Sequence, residues 1–416
     1  MSDARLFLFD DGRARRWAPF TLTRPAGELL FGCMTLRERA ERVFGAACAG
    51  HLSRRALVGF DEAAAAPVVT LADIGTRGRR ILLSSRAAPD LTAVDLPDDA
   101  TRITVAGTPA GWVLPDGAPL PSDLWLRDPS TASTNAPAID VPGLMLASPW
   151  DLIAQNAERI RRDAAVLWPA VDASAEPAGL LRIGEGSLSL AEHAEIEPGV
   201  YVDTRQGPVH LAAGVCVEGP ARLTGPLYVG PRTRILGGSV GVSSLGPVCV
   251  VRGEISESVM LGFVNKAHDG YIGHALLGRW VNLGAFTTNS DLKNNYGSVR
   301  VWTPDGDVDT GLLKVGCFFG DHVKTGIGTM ITTGSVIGAG SNVFGGAMPP
   351  RAVPPFSWGE GEQLGQHKLD KFLETAERAM ARRGQTLTPG VRRVLETAWH
   401  ETEGHRAGRG GPGDVA

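Results

Sequence analysis

Residues 211–343 repeat themselves every six positions, and this period restricts the fold more than any other feature of the chain. Every sixth residue from Leu211 reads Leu211, Val217, Leu223, Val229 and Ile235, and the position four places after each holds Val215, Ala221, Leu227, Thr233 and Ser239. The register returns at Tyr271, Leu277 and Leu283, and again from Phe319 through Thr325, Ile331 and Ile337 to Val343. A strict six-residue period fits neither helical spacing nor simple strand alternation, and it predicts a triangular coil of short flat strands. One large apolar residue per hexad points inward, a small one lies near the corner, and Gly takes the turn, as at Val229-Gly230, Leu277-Gly278 and Ile337-Gly338. No coil buries its face alone, so stacking supplies the core, with a rise of roughly 4.8 Å per coil set by the strand spacing.

A coil that turns so often accounts for 53 glycines in 416 residues without collagen's period. That length leaves room for two or three domains with cores of their own, and 43% hydrophobic against 21% charged residues is an ordinary balance for a soluble protein. A net charge of -4 offers no footprint for nucleic acid. The cysteines Cys33, Cys48, Cys216, Cys249 and Cys317 form no CxxC pair and no metal spacing, and read as reduced thiols. Met1-Ser2-Asp3-Ala4-Arg5 precedes too short an apolar run for a signal peptide, and nothing later approaches the roughly 18 consecutive apolar residues of a membrane span. The expectation is a cytoplasmic protein without a membrane partner.

Residues 1–168 have the pattern of an α/β, Rossmann-like domain. Residues 6–9 form a short apolar strand ending at Asp10-Asp11-Gly12, and a loop rich in Arg and Pro leads to a helix whose start, Thr35-Leu36-Arg37-Glu38, has the form of a capping box. Further strands are expected at 56–59, 80–83 and 102–105, and Pro149-Trp150-Asp151 opens a helix carrying Leu152, Ile153, Ile160 and Val166. Alternating strands and helices argue for a mostly parallel sheet, with any ligand at the carboxyl ends of the strands. A Pro/Ala-rich piece at 169–177 reads as the linker to the coil, expected at 178–356. The register stops at Gly345-Gly346, helical spacing returns at 369–382 and 391–400 within a C-terminal segment 357–404, and 405–416 reads as a disordered tail.

The centre of the coil carries a family resemblance. Lys266-Ala267-His268-Asp269-Gly270-Tyr271-Ile272-Gly273, followed by Val281-Asn282-Leu283-Gly284-Ala285, resembles the acetyltransferase half of the bifunctional N-acetylglucosamine-1-phosphate uridylyltransferase/glucosamine-1-phosphate acetyltransferase family, which belongs to the hexapeptide acyltransferases. The run Asn289-Ser290-Asp291-Leu292-Lys293-Asn294-Asn295-Tyr296, with Leu8-Phe9-Asp10-Asp11 and Thr23-Arg24-Pro25-Ala26-Gly27-Glu28-Leu29, is similar to a divergent branch of sugar nucleotidyltransferases. The resemblance implies a nucleotidyltransferase-type domain followed by a left-handed parallel β-helix, and a homotrimer with acetyl-CoA between neighbours. It implies His268 as general base, Tyr271 and Asn282 on the amino-sugar phosphate, and the backbone at Ala285 and Gly345 facing acetyl-CoA.

Chemistry points to His268 independently. An ammonium has no lone pair with which to attack a thioester, so a base titrating near neutrality must take the proton, and histidine is the usual one. Asn282 or backbone N–H groups would stabilise the thioester oxygen. The plain alternative is a solvated or core-satisfied side chain. Lys266, Lys293 and Lys324 stand out because lysine is scarce here, although Lys293 and Lys324 also read as solubilising residues. Asn289, Asn294, Asn295 and Tyr296 either bond sugar hydroxyls or cap an irregular loop. Where the family carries a phosphate-gripping lysine this chain has Ser256, which points to a different acceptor.

The first domain departs further from the family, whose Gly-rich loop cradles a nucleoside triphosphate. Phe9-Asp10-Asp11-Gly12-Arg13 offers one Gly and two acids, which repel phosphate unless Mg²⁺ bridges them. Arg13, Arg15 and Arg24 are the phosphate candidates. The strand expected to end in a metal-binding aspartate reads Ile81-Leu82-Leu83-Ser84-Ser85-Arg86, which leaves Asp10 and Asp11 as the acids for a metal. Three functions stay open: acetyl transfer to an amino-sugar 1-phosphate with added nucleotidyl transfer, a sugar-1-phosphate nucleotidyltransferase whose coil only trimerises, and a non-catalytic nucleotide-sugar-binding scaffold.

Overall fold

The computed structural model describes residues 4–132, 136–168, 177 and 179–406, so that most of the expected linker, residues 169–176, and residues 407–416 of the expected tail lie outside it. The chain forms two compact units, one from Met1–Leu29, Met34–Pro149 and Thr388–Ala398, the other from Leu30–Cys33, Trp150–Leu387 and Trp399–Ala416. No helix among the described residues is long and apolar enough to cross a membrane.

In the first unit Arg5–Phe9 lies between Cys48–Leu52 and Arg80–Ser84, parallel to both. Its side chains alternate between two cores: Leu6 and Leu8 join one, Phe7 and Phe9 the other, which is why the strand reads as an unbroken apolar run. The expected parallel sheet is interrupted by one hairpin, Thr101–Val105 with Thr108–Leu114, whose last strand runs antiparallel to Arg80–Ser84 as well. Ala106 and Gly107 both take positive φ there, 48° and 73°, as a two-residue hairpin turn requires. Helix Leu36–Phe44 starts on the anticipated capping box and ends at Gly45 in the left-handed region. Residues 56–59 are not a strand. That stretch holds the short 3-10 turn Arg55–Leu57, and the strand is Cys48–Leu52, where Gly50 and His51 break the aliphatic run that would have marked it.

The second unit is built on three parallel sheets that the chain visits in turn, each strand pairing with its counterpart one coil on, the pattern of a parallel β-helix. Val202, Leu223, Val240, Ile255 and Ile272 from one sheet, Leu211, Val229, Leu245 and Leu277 from the second, and Val217, Ile235, Val251 and Leu283 from the third meet in one core. The stack is continuous through 240–270, where the six-residue register lapses. Core residues there, Val240, Leu245, Val251, Ile255 and Met260, come at irregular intervals because several corners are shortened, with Val242, Glu257 and Phe263 at φ of 51°, 47° and 55°. The stack also continues past Gly345-Gly346, which is a corner and not an end. Ala352–Val353 and Ser357–Glu360 add to the sheets, and Gln363–Gln366 folds back antiparallel to close the last one.

Helices Asp151–Ala154 and Asn156–Leu167, expected in the first domain, belong to this unit. The Asn156 side chain accepts from Gly32 N at 3.0 Å, and Trp168 stacks on His210 with ring centres 3.4 Å apart. Helix Leu369–Ala381 sets Phe372 against Phe356 and His367. Helix Glu403–Arg406 follows, and the Arg406 guanidinium donates to the Pro355 and Trp399 carbonyls. Residues 405 and 406 are therefore helical, and the expected tail does not begin at 405.

Candidate functional site

His268 stands on the corner between strands Asn265–Lys266 and Tyr271–Gly273, and it is exposed. The corner is fixed from outside by Phe286 N donating to the Asp269 carbonyl at 2.9 Å and by Arg252 Nε on the Asp269 carboxylate at 3.2 Å. Tyr271 lies on the sheet that follows the corner, with its hydroxyl donating to Asp291 Oδ2 at 2.7 Å. Asn282 lies on the sheet that precedes it, one coil on, and its Oδ1 accepts from Asn265 Nδ2 at 2.8 Å. The Ala285 carbonyl accepts from Gly328 N at 2.7 Å in the coil beyond. Gly345 has a φ of 89° and no room for a Cβ, because the Glu360 carboxylate packs against it while accepting from Gly346 N.

Two residues expected on the sugar are used inside the coil instead. Lys266 takes an inward position and is fully buried, its ammonium donating to the Arg252 carbonyl at 3.2 Å and to the His268 carbonyl. Burial pushes it down to about 8. Asn289 is buried too, and its carboxamide closes on the Gly273 backbone with two 2.9 Å bonds, a ladder role that leaves it no sugar to meet. Lys324 is half-buried in the row beside Asn282 and Asn342, where burial also pushes its ammonium down to about 8. The long loop expected around Lys293 carries a hairpin, Arg300–Thr303 with Gly306–Asp309. At its base Lys293 Nζ donates to the Ser298 carbonyl at 2.9 Å, and Asn295 Oδ1 accepts from Gly297 N at 3.1 Å. These are loop-closing contacts, whereas Tyr296 is exposed.

A tight polar cluster beside the corner escaped the sequence reading. His274 directs Nδ1 to Asp291 at 2.7 Å and Nε2 to Glu257 at 2.9 Å, with the Tyr271 hydroxyl on the same Asp291 oxygen. Burial pushes the imidazole down, but the bonds and charges of Asp291 and Glu257 outweigh it and hold His274 up at about 9. Burial works against the Asp291 carboxylate as well, yet His274 and Tyr271 keep its pKa below the ordinary value. Burial and Asp291 push the Tyr271 phenol up, so it remains a donor. With both ring nitrogens donating, His274 is a charged clamp between the coil and the first residues of the inserted hairpin, and it is no base. His274 reads in sequence only as the end of Tyr-Ile-Gly-His, and nothing there ties it to Asp291.

In the first unit the acids at the end of the opening strand are already occupied. Asp11 accepts from Arg13 N and Ala14 N at 3.0 Å each, from the Ser84 hydroxyl at 2.9 Å and from Arg86 Nε at 2.8 Å. Burial pushes the Asp10 carboxyl up, while the Ser53 hydroxyl and Ala26 N donate to it. A divalent ion needs oxygens open to it. Asp10 and Asp11 do not fit Mg²⁺, because Arg86 supplies the positive charge at the very strand end where a metal-binding aspartate was expected. Among the described residues no group of acids, histidines and cysteines could hold a metal ion. Arg24 is buried against Glu62 at 2.8 Å, which makes it an ion pair of the core instead of a phosphate contact. Arg15 Nε donates to the Asp10 carbonyl at 2.8 Å, and Arg13 is exposed.

Residues 6–169 match the family described as sugar nucleotidyl transferase. The family match runs past the end of the first unit at Pro149, through helices Asp151–Ala154 and Asn156–Leu167. Over 169 residues the chain is 30% identical to a bifunctional sugar-1-phosphate nucleotidylyltransferase/acetyltransferase of Sulfurisphaera tokodaii, a match covering 41% of this chain and 38% of that protein. Over 212 residues it is 26% identical to the bifunctional protein GlmU of a Synechococcus species, covering 50% of this chain and 41% of the relative. In both cases the match spans less than half of the relative's length. Residues 6–169 are thus similar to the sugar nucleotidyl transferase family over less than half of the chain, and at low identity the chain is similar to a protein named for both that activity and acetyl transfer.

Proposed function

We propose that the protein is a transferase acting on sugar phosphates, and that its coil is a left-handed β-helix transferring an acetyl group from acetyl-CoA to the amine of an amino-sugar 1-phosphate. The observation that carries this reading is the exposed imidazole of His268, on a corner flanked by Tyr271 on one sheet and Asn282 on the other. In this reading His268 takes the proton as the amine attacks the thioester carbonyl, and the amide nitrogen of Asn282 donates to the oxygen that gains charge. The name of the Sulfurisphaera tokodaii relative supports the pairing of the two activities. The phosphate of the acceptor would be met differently from the resembled family, since Ser256 stands where that family has a lysine. A homotrimer, with acetyl-CoA held near Ala285 and Gly345 between neighbours, belongs to the same reading.

The first unit is proposed to bind the nucleotide end of a nucleotide sugar or a nucleoside triphosphate, with exposed Arg13 as its phosphate contact. Nucleotidyl transfer there would have to proceed without a metal on Asp10 and Asp11. The test is acetyl transfer to glucosamine 1-phosphate, followed by free thiol release, together with pyrophosphate release from each nucleoside triphosphate. His268→Ala should abolish the first and leave the second unchanged; a variant that still transfers acetyl at the wild-type rate removes the base from the mechanism.

A further inference from the structure

A charged residue is the costliest kind to enclose in a stacked coil, and this chain encloses one. On the inward row formed by Val217, Ile235 and Val251, and continued one coil on by Leu283, the place between Val251 and Leu283 holds Lys266. An ammonium shut away from water is tolerated only where other oxygens replace its hydration. The structure supplies two, the carbonyl of Arg252 in the coil beneath, at 3.2 Å, and the carbonyl of His268 in its own coil. A leucine, as at 283, would fill the row without this cost, so packing does not account for the lysine. What the ammonium adds is a tie from the inside, binding the corner to the preceding coil at the residue that carries the exposed imidazole. From outside, Arg252 and Phe286 hold the neighbouring Asp269.

We propose that Lys266 is a positioning residue for His268: its enclosed ammonium holds the His268 carbonyl and thereby fixes the direction in which the imidazole is presented. The inference rests on the reading of His268 as the general base and deepens it. Lys266 touches no substrate and acts through the backbone alone. Without the tie the corner samples several arrangements and the imidazole is aligned for only part of the time. The loss then falls on the chemical step and not on binding, because Tyr271 and Asn282, which flank the corner, are held by their own bonds to Asp291 and Asn265.

Lys266→Met keeps most of the stem's volume and removes the donors, and two measurements read the result. Hydrogen exchange of the two amides that donate to the corner, Glu254 N on the Gly270 carbonyl and Phe286 N on the Asp269 carbonyl, should quicken by roughly tenfold or more, while that of Leu283 keeps its protection. The kcat for acetyl transfer should fall roughly 10- to 100-fold, with the KM values for acetyl-CoA and glucosamine 1-phosphate unchanged. Unchanged exchange with a wild-type kcat overturns the proposal, as does a fall in kcat matched by a rise in both KM values. Should the Met variant fail to fold, Lys266→Gln, which keeps a donor on a shorter stem, is judged by the same two criteria. His268→Ala is assayed alongside. A wild-type rate in that variant means that the reading of the base has failed, whereas faster exchange of the Glu254 and Phe286 amides in the Lys266 variant still reports the tie itself.

Discussion

Replacing His274 by glutamine should remove a pH-dependent share of the coil's stability. In the folded chain the imidazolium is buried between Asp291 at 2.7 Å and Glu257 at 2.9 Å, and its pKa stands at about 9 against an ordinary 6.5. At about 1.36 kcal/mol per pH unit, that rise corresponds to roughly 3 kcal/mol. Because the folded pKa is the higher one, the folded state binds the extra proton. The contribution is complete below about pH 6.5 and is lost as the pH rises through about 9. Lys266 and Lys324 titrate with the opposite sign, since burial pushes both down to about 8 and folding then gains as the pH rises above that value. Both lysines are present in both proteins, so the difference between wild type and His274→Gln isolates the histidine. Urea unfolding followed by tryptophan fluorescence should show a gap of roughly 3 kcal/mol at about pH 6 that closes toward zero at about pH 10. A gap that stays constant across this range would refute the charge argument and leave only packing.

Further outcomes follow from other contacts. Arg86→Met strips the cation from buried Asp11 and should cost about 3 kcal/mol, with Asp11→Asn in the same chain recovering much of it in urea melts. Addition of Mg²⁺ or EDTA should leave the wild-type melting temperature of the first unit where it is, because neither Asp10 nor Asp11 has an oxygen to offer. Phe319→Ala empties a fully buried site in the coil core and should cost about 3–5 kcal/mol by the same assay. Gly345→Ala combines a φ of 89° with a clash against Glu360 and should cost about 1–3 kcal/mol.

How much of this was legible in the sequence depended on how local the cause was. The hexads around Leu211–Ile235 and Phe319–Val343 announced their coils because each corner there has full length. Between them the corners shorten at Val242, Glu257 and Phe263, and a fixed period no longer follows the chain although the core is unbroken. The Thr35 capping box was readable because it is complete within four residues. The unit to which helix Asn156–Leu167 belongs was not, since its anchor is Gly32, far away along the chain. Polar residues were the hardest to place. Lys266 and Asn289 have the composition of ligand-binding groups, and only the coordinates show them turned toward backbone carbonyls. Arg86 was noticed as a missing aspartate, but its bond to Asp11 links residues 75 positions apart.

The inserted hairpin leaves the stack between two coils that pair directly, Leu276 with Phe318 and Leu277 with Phe319. The solenoid therefore closes beneath it as if the chain had never departed, and the tip at Pro304-Asp305 bears none of the load. Its tip can be lengthened, trimmed or exchanged without shifting any rung, whereas its base stays fastened to the coil through Asp291 on His274 and the Arg300 carbonyl on Arg351.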